Sequence, residues 1–429
     1  MTISFCASVQ NPKRAAVTAT TSVWCDDLLE DVLVEIFSWL SPECLIGFKC
    51  VSKSWYSLIS SLIKNPEFVS KHIRNNNILS SRSTTCLLFC CYAFAYESHM
   101  YPTLDSLRQK LFKSITVFYD QDERRNDRGN FVGQDLRLPR NLPSDVSLCK
   151  ALRSHCNGII CLGCDDTIIL CNPAIMEWRT LPKPCLVANS GFSPLRVAFG
   201  YDSRGDDYKV VRFGYTKVLG GDQKEYYNIR AEVYSMRSES WREIEFGTPI
   251  QFPIVYPFIG RQVFLRGVFY WFEWSRDILL SFNVADEVFD GMPLPNNLLA
   301  ARKRHSVKLA VWNESIAFLI YKRDNGVIKA IDIWVMDDYC SDGVKCSFSN
   351  WIKKLTFTPP ADVACPVAFL KNDEILMQAT RSRFVLYNIR SQVHRNLTFR
   401  EMPAKLIWDF SYVRSFLSVH RGSQSPPLN

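Results

Sequence analysis

The 429-residue chain has no apolar run long enough to cross a bilayer: its longest, residues 86–96 (CLLFCCYAFAY), falls well short of the roughly 20 residues a spanning helix needs. Its first residues offer no charged segment followed by an apolar stretch, so export through a secretory leader is not expected. No glycine-rich phosphate loop, HExxH metal pair or GxSxG nucleophile elbow occurs. Histidine is scarce, six in all and mostly isolated, which leaves no visible base for a nucleophile. Long runs of one charge are missing too. The 51 basic and 43 acidic residues give a net charge of +8 spread along the chain, so nothing demands a nucleic acid partner. The paired acids Asp165-Asp166 and Asp337-Asp338 fall at turn-like positions, where a carboxylate satisfies local backbone N–H groups. These absences predict a chain that performs no bond chemistry, holds no cofactor and enters no membrane.

Cysteine, by contrast, is plentiful. Sixteen of them in a short secreted chain would suggest disulfides, but this chain is long and several sit in apolar runs. Reduced, buried thiols in a cytoplasmic or nuclear protein are the expectation. His155, Cys156, Cys161, Cys164 and Cys171 invite a zinc reading, with ligand-like spacing at Cys161-Leu-Gly-Cys164. A structural zinc site wants a second well-spaced ligand pair, however, and Cys156 and Cys171 lie in strand-like runs, so buried thiols around a glycine turn are expected and no metal.

Residues 27–63 pack three helix signals into a short stretch. Asp27 with Glu30 reads as an N-cap and its capping-box partner, and Val32, Leu33, Ile36, Phe37 and Leu40 then recur with helical spacing. Ser41-Pro42 closes that helix and opens a second carrying Cys44, Leu45, Phe48 and Val51. Ser52 caps a third with Trp55, Leu58, Ile59 and Leu62. Units near ~40 residues seldom stand alone. The apolar positions exceed one small core, so the unit is either half of an interface with another chain or a helical cap on the domain behind it. Residues 66–85, with Asn75-Asn76-Asn77, predict a short helix and then a polar connector.

From Cys86 onward, short runs of Val, Ile, Phe, Tyr and Trp alternate with Gly, Asn and Asp turns. Hairpins are expected around Gly205 and Gly267, and four successive strands from Val367 fit one blade. An apolar strand followed by a bulky residue recurs at Ile169…Trp178, Ala231…Trp241, Leu279…Met292, Ile331…Trp351 and Phe384…Leu397. That spacing is near the ~40–50 residues of blade repeats. The fold class expected is α+β: a three-helix unit followed by a large all-β, propeller-like domain of about six divergent blades, with a stacked sandwich array as the alternative.

The stretch LLEDVLVEIFSWLSPECLIGFKCVSKSWYSLI resembles an F-box, the helical motif that binds the Skp-family adaptor of cullin-based ubiquitin ligases. The resemblance places Leu28, Val32, Ile36, Leu45, Val51 and Trp55 at adaptor-binding positions, with Leu28-Leu29 standing where the motif usually has Leu-Pro. Farther on, His155-Cys-Asn-Gly-Ile-Ile-Cys, Asn172-Pro-Ala, Phe199-Gly-Tyr-Asp, Asp207-Tyr-Lys-Val-Val and Gly267-Val-Phe-Tyr-Trp are similar to the F-box-associated interaction domain of plant F-box proteins. Within these the chain is similar to the S-locus F-box and S-locus-F-box-like group. The resemblance implies a substrate receptor of a Skp-cullin-F-box ligase, partnered by the adaptor, through it a cullin, and a protein target. A ligase-independent adaptor or transcriptional co-regulator is the alternative. The divisions expected are a disordered leader 1–25, F-box 26–66, connector 67–85, propeller-like domain 86–419 and disordered tail 420–429. Target-binding candidates sit in long insertions between strands: Tyr226, Tyr227, Tyr256 and Phe258 as anchors, with Arg302, Lys303 and Arg304 for charge.

Overall fold

The computed structural model describes residues 30–82, 84–91, 112–118, 131–135, 152–164, 166–187, 191–219, 225–246, 262–273, 277–302, 305–339, 345–370, 373–380, 383–397 and 406–420. Helices come first: α1 (Glu30–Ser38), α2 (Pro42–Phe48), α3 (Lys53–Leu62) and α4 (Pro66–Arg82). Their starts follow from side-chain caps. Ser41 Oγ accepts the Cys44 N–H at 3.3 Å with Pro42 in the first turn, and Ser52 Oγ accepts the Trp55 N–H at 3.1 Å. The expected cap at Asp27 lies outside the described residues. Helix α2 ends at Phe48, so Val51 sits in the following turn rather than on the helix.

Helix α4 is longer than the sequence pattern predicts. Asn65 Oδ1 caps it, accepting the Glu67 N–H at 2.8 Å, and it continues to Arg82 with a single residue before the first strand. Its polar side chains are turned inward because partners await them. His72 Nε2–H donates to the Leu40 carbonyl at 2.8 Å and Asn75 Nδ2 donates to Ser38 Oγ at 2.8 Å, so α4 satisfies the carbonyl end of α1. The expected connector is therefore a packed helix.

Six four-stranded antiparallel sheets follow among the described residues. Blade 2 holds β4 (Leu152–Cys156), β5 (Ile159–Cys164), β6 (Thr167–Asn172) and β7 (Glu177–Thr180); blade 3 holds β8 (Phe192–Asp202), β9 (Asp207–Leu219), β10 (Glu225–Ser235) and β11 (Ser240–Ile244). Blade 4 is β12 (Gln262–Leu265), β13 (Val268–Glu273), β14 (Ile278–Asn283) and β15 (Val288–Pro293), followed by α5 (Asn296–Arg302). Blade 5 is β16 (Ser306–Trp312), β17 (Ser315–Asp324), β18 (Val327–Tyr339) and β19 (Lys345–Phe357). Blade 6 is β20 (Val363–Phe369), β21 (Glu374–Ala379), β22 (Phe384–Asn388) and β23 (His394–Leu397). Blade 1 is built from both ends of the chain: β1 (Thr84–Cys91), β2 (Phe112–Phe118) and β3 (Phe131–Asp135) are completed by β24 (Leu406–Ser411), with Leu88 opposite Phe410. Strand β4 lies against β8, β12 against β16, β16 against β20 and β20 against β24, which places these strands around the centre of the ring.

The repeat seen in the sequence now has a location. Each of its five copies is the third and fourth strand of a blade, from β6–β7 in blade 2 to β22–β23 in blade 6. The third strands β6 and β22 are buried on both faces, which is why they read as short apolar runs. The turns keep a common chemistry as well. Asn172, Asn283 and Asn388 end those strands, and each Oδ1 accepts a backbone N–H two residues on. Two-residue hairpins carry positive φ at both positions, as at Asn157 (46°) and Gly158 (87°) and at Arg266 (49°) and Gly267 (81°).

A buried ion cluster joins blades 2 and 3. Arg212 on β9 lies directly across from Glu232 on β10, and neither side chain is exposed. The guanidinium bonds Glu232 Oε1 at 2.7 Å and Asp166 Oδ1 at 2.6 Å, and it donates to the Leu186 carbonyl. Glu232 Oε2 accepts the N–H groups of Cys185 at 2.8 Å and Leu186 at 3.0 Å, pinning the inter-blade segment. Replacing one member leaves the other charge enclosed, so Glu232→Leu should cost about 3–5 kcal/mol in a urea titration. An unchanged midpoint would refute that.

His155 on β4 packs against the Tyr412 ring at 6.3 Å, and desolvation by burial lowers its pKa from 6.5 to about 4. The unfolded chain takes up this proton near its ordinary pKa while the fold resists it. The contribution is therefore full above pH 6.5 and is lost as pH falls toward 4, by about 3 kcal/mol in all. His155→Gln should flatten the dependence of the urea midpoint on pH across that window; an equal slope in both proteins would remove His155 as the cause.

Candidate functional site

Helices α1 to α3 close on an aromatic triangle. The Trp55 ring meets Phe37 edge-on at 5.1 Å and Phe48 at 5.5 Å, while Phe37 and Phe48 are 6.4 Å apart. Leu33, Leu45, Ile59 and Leu62 are buried beside it. The apolar residues of α1 thus form two adjoining stripes. Leu33 and Phe37 face inward, whereas Val32, Ile36 and Trp39 recur at i, i+4 and i+7 and are 41%, 45% and 38% exposed. Ile46 on α2, Val51 in the following turn and Tyr56 on α3 are also exposed, Val51 and Tyr56 each at 58%. Six large apolar side chains of the helical unit are thus turned outward.

The adaptor-binding set expected from sequence divides accordingly. Val32, Ile36 and Val51 face outward; Leu45 is fully buried and Trp55 is half-buried in the aromatic triangle, so these two are core residues. Leu28 lies outside the described residues. Trp39, Ile46 and Tyr56, exposed as well, are not in the expected set, although extending the Val32–Ile36 spacing by one turn reaches Trp39.

On the propeller, two expected insertions are long hairpins. Strand β9 pairs with β8 only as far as Thr216, and β10 pairs with β11 only from Ala231. Residues 217–219 and 225–227 therefore form a two-stranded arm among the described residues. Tyr226 and Tyr227 belong to this arm and not to an irregular loop. The Tyr227 ring meets Tyr215 edge-on at 5.2 Å, with Lys217 Nζ 5.7 Å from its centre. The second hairpin is β18–β19, paired out to Tyr339 opposite Lys345. Successive connections of an antiparallel meander alternate between faces, so the β9–β10 arm leaves the face opposite the β4–β5 turn and the β18–β19 hairpin shares the face of that turn. Arg302 ends α5, paired with Asp277 and 5.7 Å over the Phe272 ring, so its charge holds the helix down rather than reading a partner. Tyr256, Phe258, Lys303 and Arg304 lie outside the described residues.

Strand register separates four of the five metal-ligand candidates; the side chain of Cys164 lies outside the described residues. Cys156 and Cys161 share one face of blade 2, while His155 and Cys171, both beside Ile160, share the other. Burial pushes the Cys156 and Cys171 thiols up to about 12, so both remain protonated.

Compared with known families, residues 25–66 match the F-box domain and residues 129–419 match the F-box associated beta propeller domain. The chain belongs to the F-box proteins that carry this propeller. Its relatives in Arabidopsis thaliana include the F-box/kelch-repeat protein At3g23880, 23% identical over 83% of this chain and 86% of that protein. The F-box protein CPR1 is 22% identical over 87% of this chain and 85% of its own length. F-box proteins with this propeller are non-catalytic ligase adaptors, and the F-box here is the three-helix unit with its outward apolar stripe. No helix among the described residues is long and apolar enough to cross a membrane.

The division of the F-box into core and surface is testable. Leu45→Ala should cost the unit about 2–5 kcal/mol through the cavity it leaves, whereas Val51→Ala should stay within about 0.5 kcal/mol. Hydrogen exchange of the α2 and α3 amides reports both; equal losses would overturn the assignment.

Proposed function

We propose that this protein is a substrate-recognition subunit of a Skp-cullin-F-box ubiquitin ligase. It docks on the Skp-family adaptor through Val32, Ile36 and Val51, joined by Trp39, Ile46 and Tyr56, and holds a protein target on its propeller. The observation that carries this reading is the second apolar stripe: α1 has a buried face already satisfied by the helical core and another left open. Each Ile or Val buried on an adaptor contributes up to about 1.5–3 kcal/mol, so a few suffice for stable docking. The protein supplies proximity, holding a target lysine near a charged conjugating enzyme so that transfer becomes effectively intramolecular. Cytoplasm or nucleus fits the thiols: Cys44, Cys50, Cys156, Cys161, Cys171, Cys185 and Cys365 form no disulfide among the described residues.

For the target, the β9–β10 arm with Tyr227 is the favoured anchor, because it stands clear of the blade on the face away from the β4–β5 turn. The S-locus-F-box-like assignment is a finer reading that rests on the framework motifs between residues 149 and 399, and a ribonuclease among captured targets would support it. The test of the main reading is adaptor capture. Ile36→Glu with Val51→Glu should abolish pulldown of a Skp-family adaptor while the thermal transition of the propeller stays in place. Capture undiminished by both charges would overturn the proposal.

A further inference from the structure

After β24 the chain turns back across blade 2, and residues 412–420 lie in a cradle made by two of its turns. Asn172, a buried amide ending β6, donates to the carbonyls of Ser415 at 3.0 Å and Leu417 at 2.8 Å. The Tyr412 hydroxyl donates to the Gly158 carbonyl at 3.2 Å, and Ser415 Oγ–H donates to the Asn157 carbonyl. Glu177 Oε2 accepts Ser418 Oγ–H at 2.7 Å and the Val419 N–H at 3.2 Å. The fit is close enough that a Cβ added at Gly158 would fall 2.5 Å from Ser415 Oγ and 2.9 Å from its backbone nitrogen. Ser415, Phe416, Leu417 and Val419 are all buried.

The opposite side of the same strap meets the F-box. The Phe416 ring is 5.0 Å from the His72 imidazole on α4, and Arg414 Nη1 is 2.6 Å from Glu43 Oε1 on α2. Phe416, Leu417 and Val419 belong to one continuous core with Phe37, Leu45 and Ile59 of the F-box and with Cys156 and Ile159 of blade 2. A segment with one face keyed to the propeller and the other to the helices joins the two.

We propose that residues 412–420 are the joint that fixes the F-box against the propeller, so that the chain's own C-terminal segment sets the angle at which the two docking surfaces are held. This rests on the receptor reading for its consequence: with the strap unseated each surface keeps its partner, but transfer of ubiquitin falls because the separation is no longer constant. The geometry of the joint itself needs no partner.

The experiment places a site-specific protease sequence between α4 and β1 of the full chain, cleaves it, and follows the two pieces by gel filtration. The native strap should keep the helical piece co-eluting with the propeller. Phe416→Ala with Arg414→Glu should release it, with the propeller's thermal transition retained as a check on folding. Arg414→Glu alone should weaken co-elution, and adding Glu43→Arg should restore it, a rescue that general unfolding cannot mimic. Separation of the native pieces, or co-elution that survives the Phe416→Ala, Arg414→Glu pair, would overturn the joint. Because this readout uses no adaptor, failure of adaptor capture by the native chain bears on the receptor reading alone.

Discussion

An open sheet edge must be paired or covered, and this ring meets that requirement by lending its last strand to its first blade. Pairing of β24 with β1 brings the two ends of the propeller together, and both ends then do further work nearby. On the N-terminal side α4 runs into β1 with one residue between them; on the C-terminal side the strap leaves β24 and crosses blade 2. The F-box sits where these two departures meet. Its position is thus a result of how the ring closes, and the helices share their core with blade 2 because closure delivers Phe416 there.

Two devices then tie neighbouring blades together. The Arg212–Glu232–Asp166 cluster ties blade 2 to blade 3 through the intervening backbone, and Lys209, held between Asp202 at 2.8 Å and Glu287 at 2.9 Å, ties blade 3 to blade 4. Enclosed ion pairs are weak sources of stability compared with apolar contacts, but their geometry is narrow. They occur at two successive blade junctions. The helices share a core with blade 2, while α1 keeps a second apolar stripe turned outward.

What could be read from the sequence was whatever is decided locally. The caps at Ser41 and Ser52, the turn at Gly267 and the paired third and fourth strands of five blades depend on neighbours within a few residues, and all are where the pattern places them. What could not be read was decided by distant partners. Asn75 looks like connector until Ser38, thirty-seven residues earlier, supplies its hydrogen bond. Leu45 and Val51 look alike by spacing, and only the packing of α2 on α3 sends one inward and leaves the other out. Tyr226 and Tyr227 fall in a stretch broken by glycines, yet pairing with Val218 and Lys217 keeps them in a strand. The strap has no signature of its own, because its amide partner, Asn172, lies in another blade.

Ring closure by the final strand also has a consequence for synthesis. As the chain leaves the ribosome, β1 exposes an unpaired edge from the time it emerges until every residue between it and β24 has been made. Contacts so distant in sequence form slowly, and an exposed strand edge invites association meanwhile. A message truncated between the codons for β3 and those for β24 therefore encodes helices that can form, but a first blade without its inner strand and none of the strap's contacts to Asn172 and His72.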